Sequence, residues 1–199
     1  MHRSPVLLSI FIKAMKILSS QPAFLLPVAF FTIQIFGARM INGDEGLIMK
    51  SCNLTAMPDY CIAVLESDER SFSAEDLKGL VKISIDHCYT NAVDTYKFIN
   101  EKLLTDASAT DDPTLRQCLE KCSYVYDLGA HRLLRVLDLL DKEDYYGADE
   151  KIGDATDVSA ACGVFFIQKD VPIPPTLAFK NAILFNLTSF SLDLALHLG

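Results

Sequence analysis

The clearest pattern in the chain begins after residue 72. Apolar or small side chains fall at Leu77, Leu80, Val81, Ser84, Ile85, Cys88, Ala92, Tyr96, Ile99 and Leu103. Steps of three and four place them on one face of a helix. Ser73-Ala-Glu-Asp76 ahead of this run has the form of a capping box with Asp in the third position. The helix is expected to end near Thr105, where residues 106–112 turn polar. Pro113, preceded by Asp112 as N-cap, opens a second helix. Its stripe is Leu115, Cys118, Leu119, Cys122, Tyr126, Gly129, Leu133, Val136, Leu137 and Leu140. Residues 141–147 read as a charged turn. A third helix carries Ala148, Ile152, Ala155, Ser159, Cys162, Phe166 and Lys169, and Val171-Pro-Ile-Pro-Pro175 breaks it. Thr176 is the expected cap of a fourth helix, whose stripe includes Ile183, Leu187, Phe190, Leu194 and Leu198.

Four amphipathic helices joined by short connections predict an antiparallel up-down bundle, so the fold class is all-α. Residues 51–72 hold one proline, two cysteines and short apolar patches, which predicts a short helical hairpin before the bundle at 73–199. Residues 39–50 read as a leader. Upstream, residues 1–38 carry Arg3, Lys13 and Lys16, no acidic residue, and an apolar run from Ala23 to Phe36 that closes on Gly37 and Ala38. That is the layout of a signal peptide. Met15 is an alternative start that gives a more ordinary length. The run holds one proline, Pro27, with Pro22 just before it, and is shorter than the roughly 20 residues of a membrane span.

Composition changes this picture little, and charge changes it more. Residues 39–199 hold 15 basic and 26 acidic side chains, a net charge of −11. Such a surface disfavours nucleic acid and anionic membranes and suits a basic partner or plain solubility. Two sequons, at Asn53 and Asn186, are glycosylation candidates in a secreted chain.

Six cysteines allow 15 complete pairings, and spacing alone does not select one. Bundle geometry narrows the field. Cys122 and Cys162 lie at comparable distances on either side of the turn between the second and third helices, so a bridge fits. Cys118, one turn before Cys122, competes for the same partner. Cys88 and Cys118 sit about 18 Å out of register with each other and read as small buried apolar residues. Cys52 and Cys61 are close enough to seal the hairpin. In the chain-entropy picture the two bridges contribute about 2.7 and 3.9 kcal/mol, respectively for the hairpin and the bundle.

No His-Glu-x-x-His, Gly-x-Ser-x-Gly, phosphate loop or Cys-x-x-Cys occurs. Asp141 to Gly147 misplaces the glycine of a calcium loop, and Ile152 stands where its last carboxylate belongs. His87 and Cys88 are adjacent on a helix, so their side chains diverge. The chain is therefore read as a non-enzyme, with no catalytic residue, metal or cofactor.

Cys52-Asn-Leu-Thr55-Ala-Met-Pro58-Asp-Tyr-Cys61 has the form C-x-x-T-x-x-P-x-x-C and resembles the opening of the plant invertase/pectin methylesterase inhibitor family. Leu65 to Ser71, Asp76 to Leu80, Cys122 with Tyr126, Asp157 to Cys162 and the ending from Asn181 to Leu198 are similar to later segments of that family, in order. The resemblance covers residues 51–199. It implies bridges Cys52–Cys61 and Cys122–Cys162, and secretion to the apoplast or cell wall, with the vacuole as alternative. It implies inhibition of a plant carbohydrate enzyme by capping its cleft, with acid invertase (a β-fructofuranosidase) favoured over pectin methylesterase. Cys88 and Cys118 depart from the family pattern. So does the turn between the second and third bundle helices. Invertase inhibitors of the family can carry Pro-Lys-Phe there, whereas this chain has Asp144-Tyr145-Tyr146-Gly147. The tyrosines either anchor a partner or pack on the bundle end. Two other classes stay open at this point: a bundle holding a small apolar ligand, and a secreted helical protein without inhibitory action.

Overall fold

The computed structural model describes residues 43–106 and 111–199. The signal segment at 1–38, the Met15 start and residues 39–42 of the leader lie outside the described residues. Among the described residues there are six α-helices and no strand. They are α1 (Gly43–Cys52), α2 (Pro58–Glu66), α3 (Leu77–Phe98), α4 (Pro113–Asp141), α5 (Tyr145–Lys169) and α6 (Pro175–Ala195). A 3₁₀ turn, Glu69–Ser73, links α2 to α3, and a π-helical turn, Ile99–Leu103, extends α3.

The bundle is a four-cornered one. Helix α4 packs on α3 and α5, and α6 packs on α5 and α3. The predicted stripes supply most of the core: Leu80, Val81, Ile85, Cys88, Leu119, Cys122, Tyr126, Leu133, Val136, Ile152, Cys162, Phe166, Leu187, Phe190 and Leu194 are all buried. Helix α6 differs from expectation. Its buried face is Leu177, Asn181, Leu184, Leu187, Thr188, Phe190, Ser191, Leu194 and Ala195, while Ile183 and Leu198 are only half-buried. Apolar residues lie all round this helix, so periodicity alone does not locate the inner face.

Several boundaries shift for identifiable reasons. The cap of α3 is Asp76, not Ser73. Asp76 is extended (φ −151°, ψ 176°) and its Oδ1 accepts from the Gly79 amide at 2.8 Å, while Ser73 closes the 3₁₀ turn. Helix α5 starts at Tyr145, so the expected turn at 141–147 shrinks to Lys142, Glu143 and Asp144. Glu143 takes φ 59° to make that turn. Helix α6 is entered through Pro174 and Pro175 with no side-chain cap, rather than through Thr176. Proline has no amide hydrogen to satisfy, which lowers the need for a cap.

The hairpin is longer than predicted. Residues 43–50, read as leader, are helical and belong to α1. Ile48, Ser51 and Cys52 are buried, and α1 packs on α2, α3 and α6. The turn that follows decodes the C-x-x-T-x-x-P-x-x-C string. Thr55 Oγ1 donates to the Cys52 carbonyl at 2.8 Å, closing α1, and accepts from the Met57 amide at 3.3 Å. Pro58 stands in the first turn of α2, and Cys61, one turn on, bonds to Cys52 with the Cα atoms 5.5 Å apart. The Ala56 amide donates to Asp193 Oδ2 at 2.8 Å and Tyr60 meets Phe190 edge to face at 5.9 Å, so the hairpin is pinned on the last turns of α6.

Cys122 and Cys162 join α4 to α5 with Cα atoms 4.7 Å apart. The shortened turn explains the register: about Glu143, Cys122 lies 21 positions before and Cys162 lies 19 after. Cys118 keeps its thiol, which donates to the Phe165 carbonyl at 3.4 Å. Two turns beyond the bridge, Gly129 lies against Val158, where an added Cβ would stand 2.7 Å from Val158 Cγ2.

Replacing Cys122 and Cys162 together by Ser removes a bridge across 40 positions, and the unfolding free energy in urea should drop by about 3–4 kcal/mol. Gly129→Ala, although it favours helix, should cost about 1–3 kcal/mol by overpacking α4 against α5; a melting temperature equal to or above wild type would contradict this.

Candidate partner-binding surface

The three predicted contact residues lie at the end of the α4–α5 turn and the start of α5, and the structure gives each a different role. Asp144 caps α5: its Oδ1 accepts from the Gly147 amide at 3.0 Å. At Gly147 an added Cβ would stand 2.7 Å from Asp144 Oδ2, so the capping carboxylate would have to shift. Tyr145 is half-buried against the core. Tyr146 is 83% exposed in the first turn of α5. Both tyrosines are thus helical rather than in a turn, and Tyr146 alone of the three presents its side chain to solvent as a free ring.

Around Tyr146 the surface is mixed but mainly acidic. Lys82 pairs with Asp141, Lys142 with Asp138 at 2.8 Å, and Lys151 with Glu150 and Asp154 at 3.0 and 3.1 Å. The Lys142 hydrogen bond holds the Asp138 carboxyl below its ordinary range. Partial burial pushes the Asp149 carboxyl up, and its Oδ1 is buried without a hydrogen-bond partner among the described residues.

Sequence reading missed a second exposed apolar set. Gln117, Lys121, Tyr124, Val125 and Phe165 line a shallow groove between α4 and α5, with the Lys121 ammonium 5.3 Å from the Phe165 ring centre. Tyr124 and Ile167 stand 69% and 78% exposed. Both lie off the predicted stripes, Tyr124 between Cys122 and Tyr126 and Ile167 beside Phe166.

The nucleophile candidates are inert. Cys88 is fully buried, lies 3.5 Å from Ser191 Oγ, and burial pushes its thiol up to about 12. Burial likewise raises Cys118. His87 turns to Asp68 instead, with Nε2 3.2 Å from Oδ2. No cluster of three or more His, Cys, Asp or Glu suited to a metal occurs among the described residues, and no helix there is long and apolar enough to cross a membrane. Tyr126, Phe166 and Phe190 fill the core where a small apolar ligand would have to sit.

Asp68 is the polar hub of the hairpin–bundle junction. It caps the 3₁₀ turn through the Arg70 amide at 3.0 Å and receives the Arg70 guanidinium at 2.8 Å. Arg70 reaches on to Asp86 of α3 at 2.7 Å.

The glycosylation candidates also differ. Asn53 is exposed in the hairpin turn, and Asn186 is half-buried on α6. In both sequons the threonine is buried and donates to a backbone carbonyl, Thr55 to Cys52 and Thr188 to Leu184.

A helical bundle capped by a disulfide-closed hairpin, with an exposed tyrosine at one helix start, defines a class: small disulfide-closed helical bundles. The particular family follows from comparison. Residues 46–194 match the family described as plant invertase/pectin methylesterase inhibitor, and the chain belongs to it. The chain is 31% identical to cell wall / vacuolar inhibitor of fructosidase 2 of Arabidopsis thaliana, over 69% of this chain and 75% of the relative. It is 33% identical to a pectinesterase inhibitor of Actinidia deliciosa, over 69% of this chain and 72% of the relative. The crystal structure of a mutant form of a pectin methylesterase inhibitor from Arabidopsis superposes with a TM-score of 0.61 at 19% identity, covering 72% of this chain and 91% of that one, and shares the fold.

The Arg70 guanidinium holds the Asp68 carboxyl down to about 2, from an ordinary 3.8. A lowered folded-state value means stability that is present above the unfolded value and lost as pH falls through the folded one. Wild type should therefore lose stability from about pH 4 to pH 2 through this group. Asp68→Asn, which keeps a capping oxygen, should flatten that limb and cost about 0.5–1 kcal/mol at pH 7, the upper range for a solvent-screened pair; acid titrations of melting temperature for both proteins check it.

Proposed function

We propose that this chain is a secreted protein inhibitor of a plant acid invertase, acting as a rigid plug over the enzyme's active-site cleft and performing no chemistry itself. The observation that carries the reading is membership of an inhibitor family over residues 46–194. The Arabidopsis relative named for inhibition of fructosidase supports invertase as target. The same relative's name, with its cell-wall and vacuolar terms, supports the apoplast as destination and the vacuole as alternative.

Physical features agree with a plug. The two disulfides fix the hairpin and the central helix pair, so little backbone order has to be gained on binding. Tyrosine supplies large contact area with few rotatable bonds, and Tyr146 is held at the start of a capped helix. The acidic surface favours a basic rim around the target cleft.

Pectin methylesterase is the second reading. Two observations favour it: the Pro-Lys-Phe segment of invertase inhibitors is absent from the α4–α5 turn, and the Actinidia relative named as a pectinesterase inhibitor matches at 33% identity.

The decisive assay adds the purified protein, oxidised or reduced, to an acid invertase and to a pectin methylesterase at one mildly acidic pH. Loss of invertase activity with oxidised protein is expected, and no effect on either enzyme rejects inhibition. Tyr146→Ala should weaken inhibition at least about tenfold, the scale of an aromatic hot spot. Its melting temperature should stay at the wild-type value, because the ring is exposed.

A further inference from the structure

Among the described residues, the outward face of α6 is covered over only half its length. At its C-terminal half the hairpin lies on it, through Ala56 on Asp193 and Tyr60 on Phe190. No described residue gives the N-terminal half such cover. There Phe179 and Phe185 are 67% and 48% exposed, Ala182 between them is exposed too, and Asn186 and Ser189 follow on the same side of the helix. Residues 179, 182 and 186 come at steps of three and four and stack along one line, while 182, 185 and 189 form the neighbouring line, so Phe185 projects about 100° round the helix from Asn186. Ala182 is too small to shield either ring. The two half-bare rings flank Ala182 on this outward face and leave apolar surface in water that a covering group would remove.

We propose that Asn186 carries an N-linked glycan and that its core sugars lie over Phe179 and Phe185, doing for the lower half of α6 what the hairpin does for the upper half. The assignment rests on the secretion reading above. Three observations support it. Asn186, the acceptor of the sequon Asn186-Leu-Thr188, stands half-buried on this outward face while Leu187 and Thr188 point inward. Asn186 is a poor helix former, and its amide takes part in no side-chain hydrogen bond among the described residues, so folding does not explain it. The attachment point sits two turns along the same line from Phe179 and about 100° round the helix from Phe185, within reach of the first two N-acetylglucosamine rings, whose C–H faces stack on aromatic rings. Thr188 is fully buried with its hydroxyl committed to the Leu184 carbonyl, so transfer has to precede folding of α6, as co-translational transfer does. The step is a glycosyl transfer. The Asn186 side-chain nitrogen displaces a lipid diphosphate from the anomeric carbon of a lipid-linked oligosaccharide, and the amide loses one proton.

The experiment uses the full chain secreted from plant cells. A peptide N-glycosidase reaction in heavy-oxygen water converts each occupied Asn to labelled Asp, read by peptide mass mapping. Label at residue 186 is expected, and an unlabelled Asn186 in protein that carries both disulfides overturns the proposal while leaving secretion standing. Protein that lacks both the label and the disulfides overturns the secretion reading with it. Enzymatic removal of the sugar from the folded protein then tests the shielding. Fluorescence of an apolar-surface dye should rise roughly twofold or more, and should stay at the starting level when the same treatment is applied to a Phe179→Ser, Phe185→Ser variant. A dye signal unchanged by sugar removal in wild type shows that the glycan does not cover this face and overturns that part.

Discussion

The close approach of α4 and α5 is the constraint on which the remaining architecture rests. Cys122 bonded to Cys162 draws the helices to a Cα separation of 4.7 Å, and two turns away the glycine at position 129 is the only residue type that lets Val158 in. Separation and register are thereby set at two levels along one seam. Once α4 and α5 are fixed, the inner faces of α3 and α6 have one groove each to fill, and Tyr126 of α4 reaches across to α6, donating to Asn181 Oδ1 at 2.6 Å. That hydrogen bond is buried, and burial raises the tyrosine hydroxyl well above its usual range, so the phenol stays a donor at any physiological pH. A buried polar tie of this kind selects one rotation of α6, which its evenly apolar surface does not select alone.

How far the sequence foretold this depends on the kind of information each element carries. Helices α3, α4 and α5 have one apolar face and polar backs, so their inner residues were legible from spacing. The Cys122–Cys162 bridge was within reach of simple axial geometry because short turns hold antiparallel helices in step. Helix α6 was legible as a helix and illegible in rotation, since Phe179 and Phe185 face water while Asn181, Thr188 and Ser191 face inward. Tertiary ties, not hydropathy, decide that arrangement. Helix α1 was missed for the opposite reason: Gly43 to Lys50 shows no stripe, and Ile48, with Ser51 and Cys52 beyond it, is held down by neighbours distant in sequence. Turn boundaries failed by a few residues where an aspartate made the better cap: Asp76, three positions after Ser73, delays α3, and Asp144, inside the expected turn, starts α5 early.

The contact surface was legible only in part. Asp144, Tyr145 and Tyr146 were marked out together because they stand where relatives of the family can carry Pro-Lys-Phe. The structure separates them into a cap, a packing residue and a free ring. That division could not be read from the string, since it depends on whether the helix starts before or after Tyr145. The groove beside Tyr124 and Phe165 was illegible, because it mixes apolar Tyr124, Val125 and Phe165 with Gln117, Glu120 and Lys121 and forms only where two helices meet.

An exposed aromatic is an effective anchor for another protein only if its position is set in advance, since ordering it on contact consumes the energy it contributes. Tyr146 meets that condition through Asp144, whose carboxylate fixes the first turn of α5, and through Gly147, which leaves room for that carboxylate. Ion pairs from α3 hold the α4–α5 turn in place, Lys82 with Asp141 and Lys78 with Glu143 at 3.5 Å. Each of those pairs is weak in water, and their effect here is placement rather than stability. The same seam that makes the bundle resistant to unfolding also delivers the ring at a defined height on its end. Stability and recognition are therefore coupled through α5: the residues facing α4 keep the helix in register, and its first turn carries the contact.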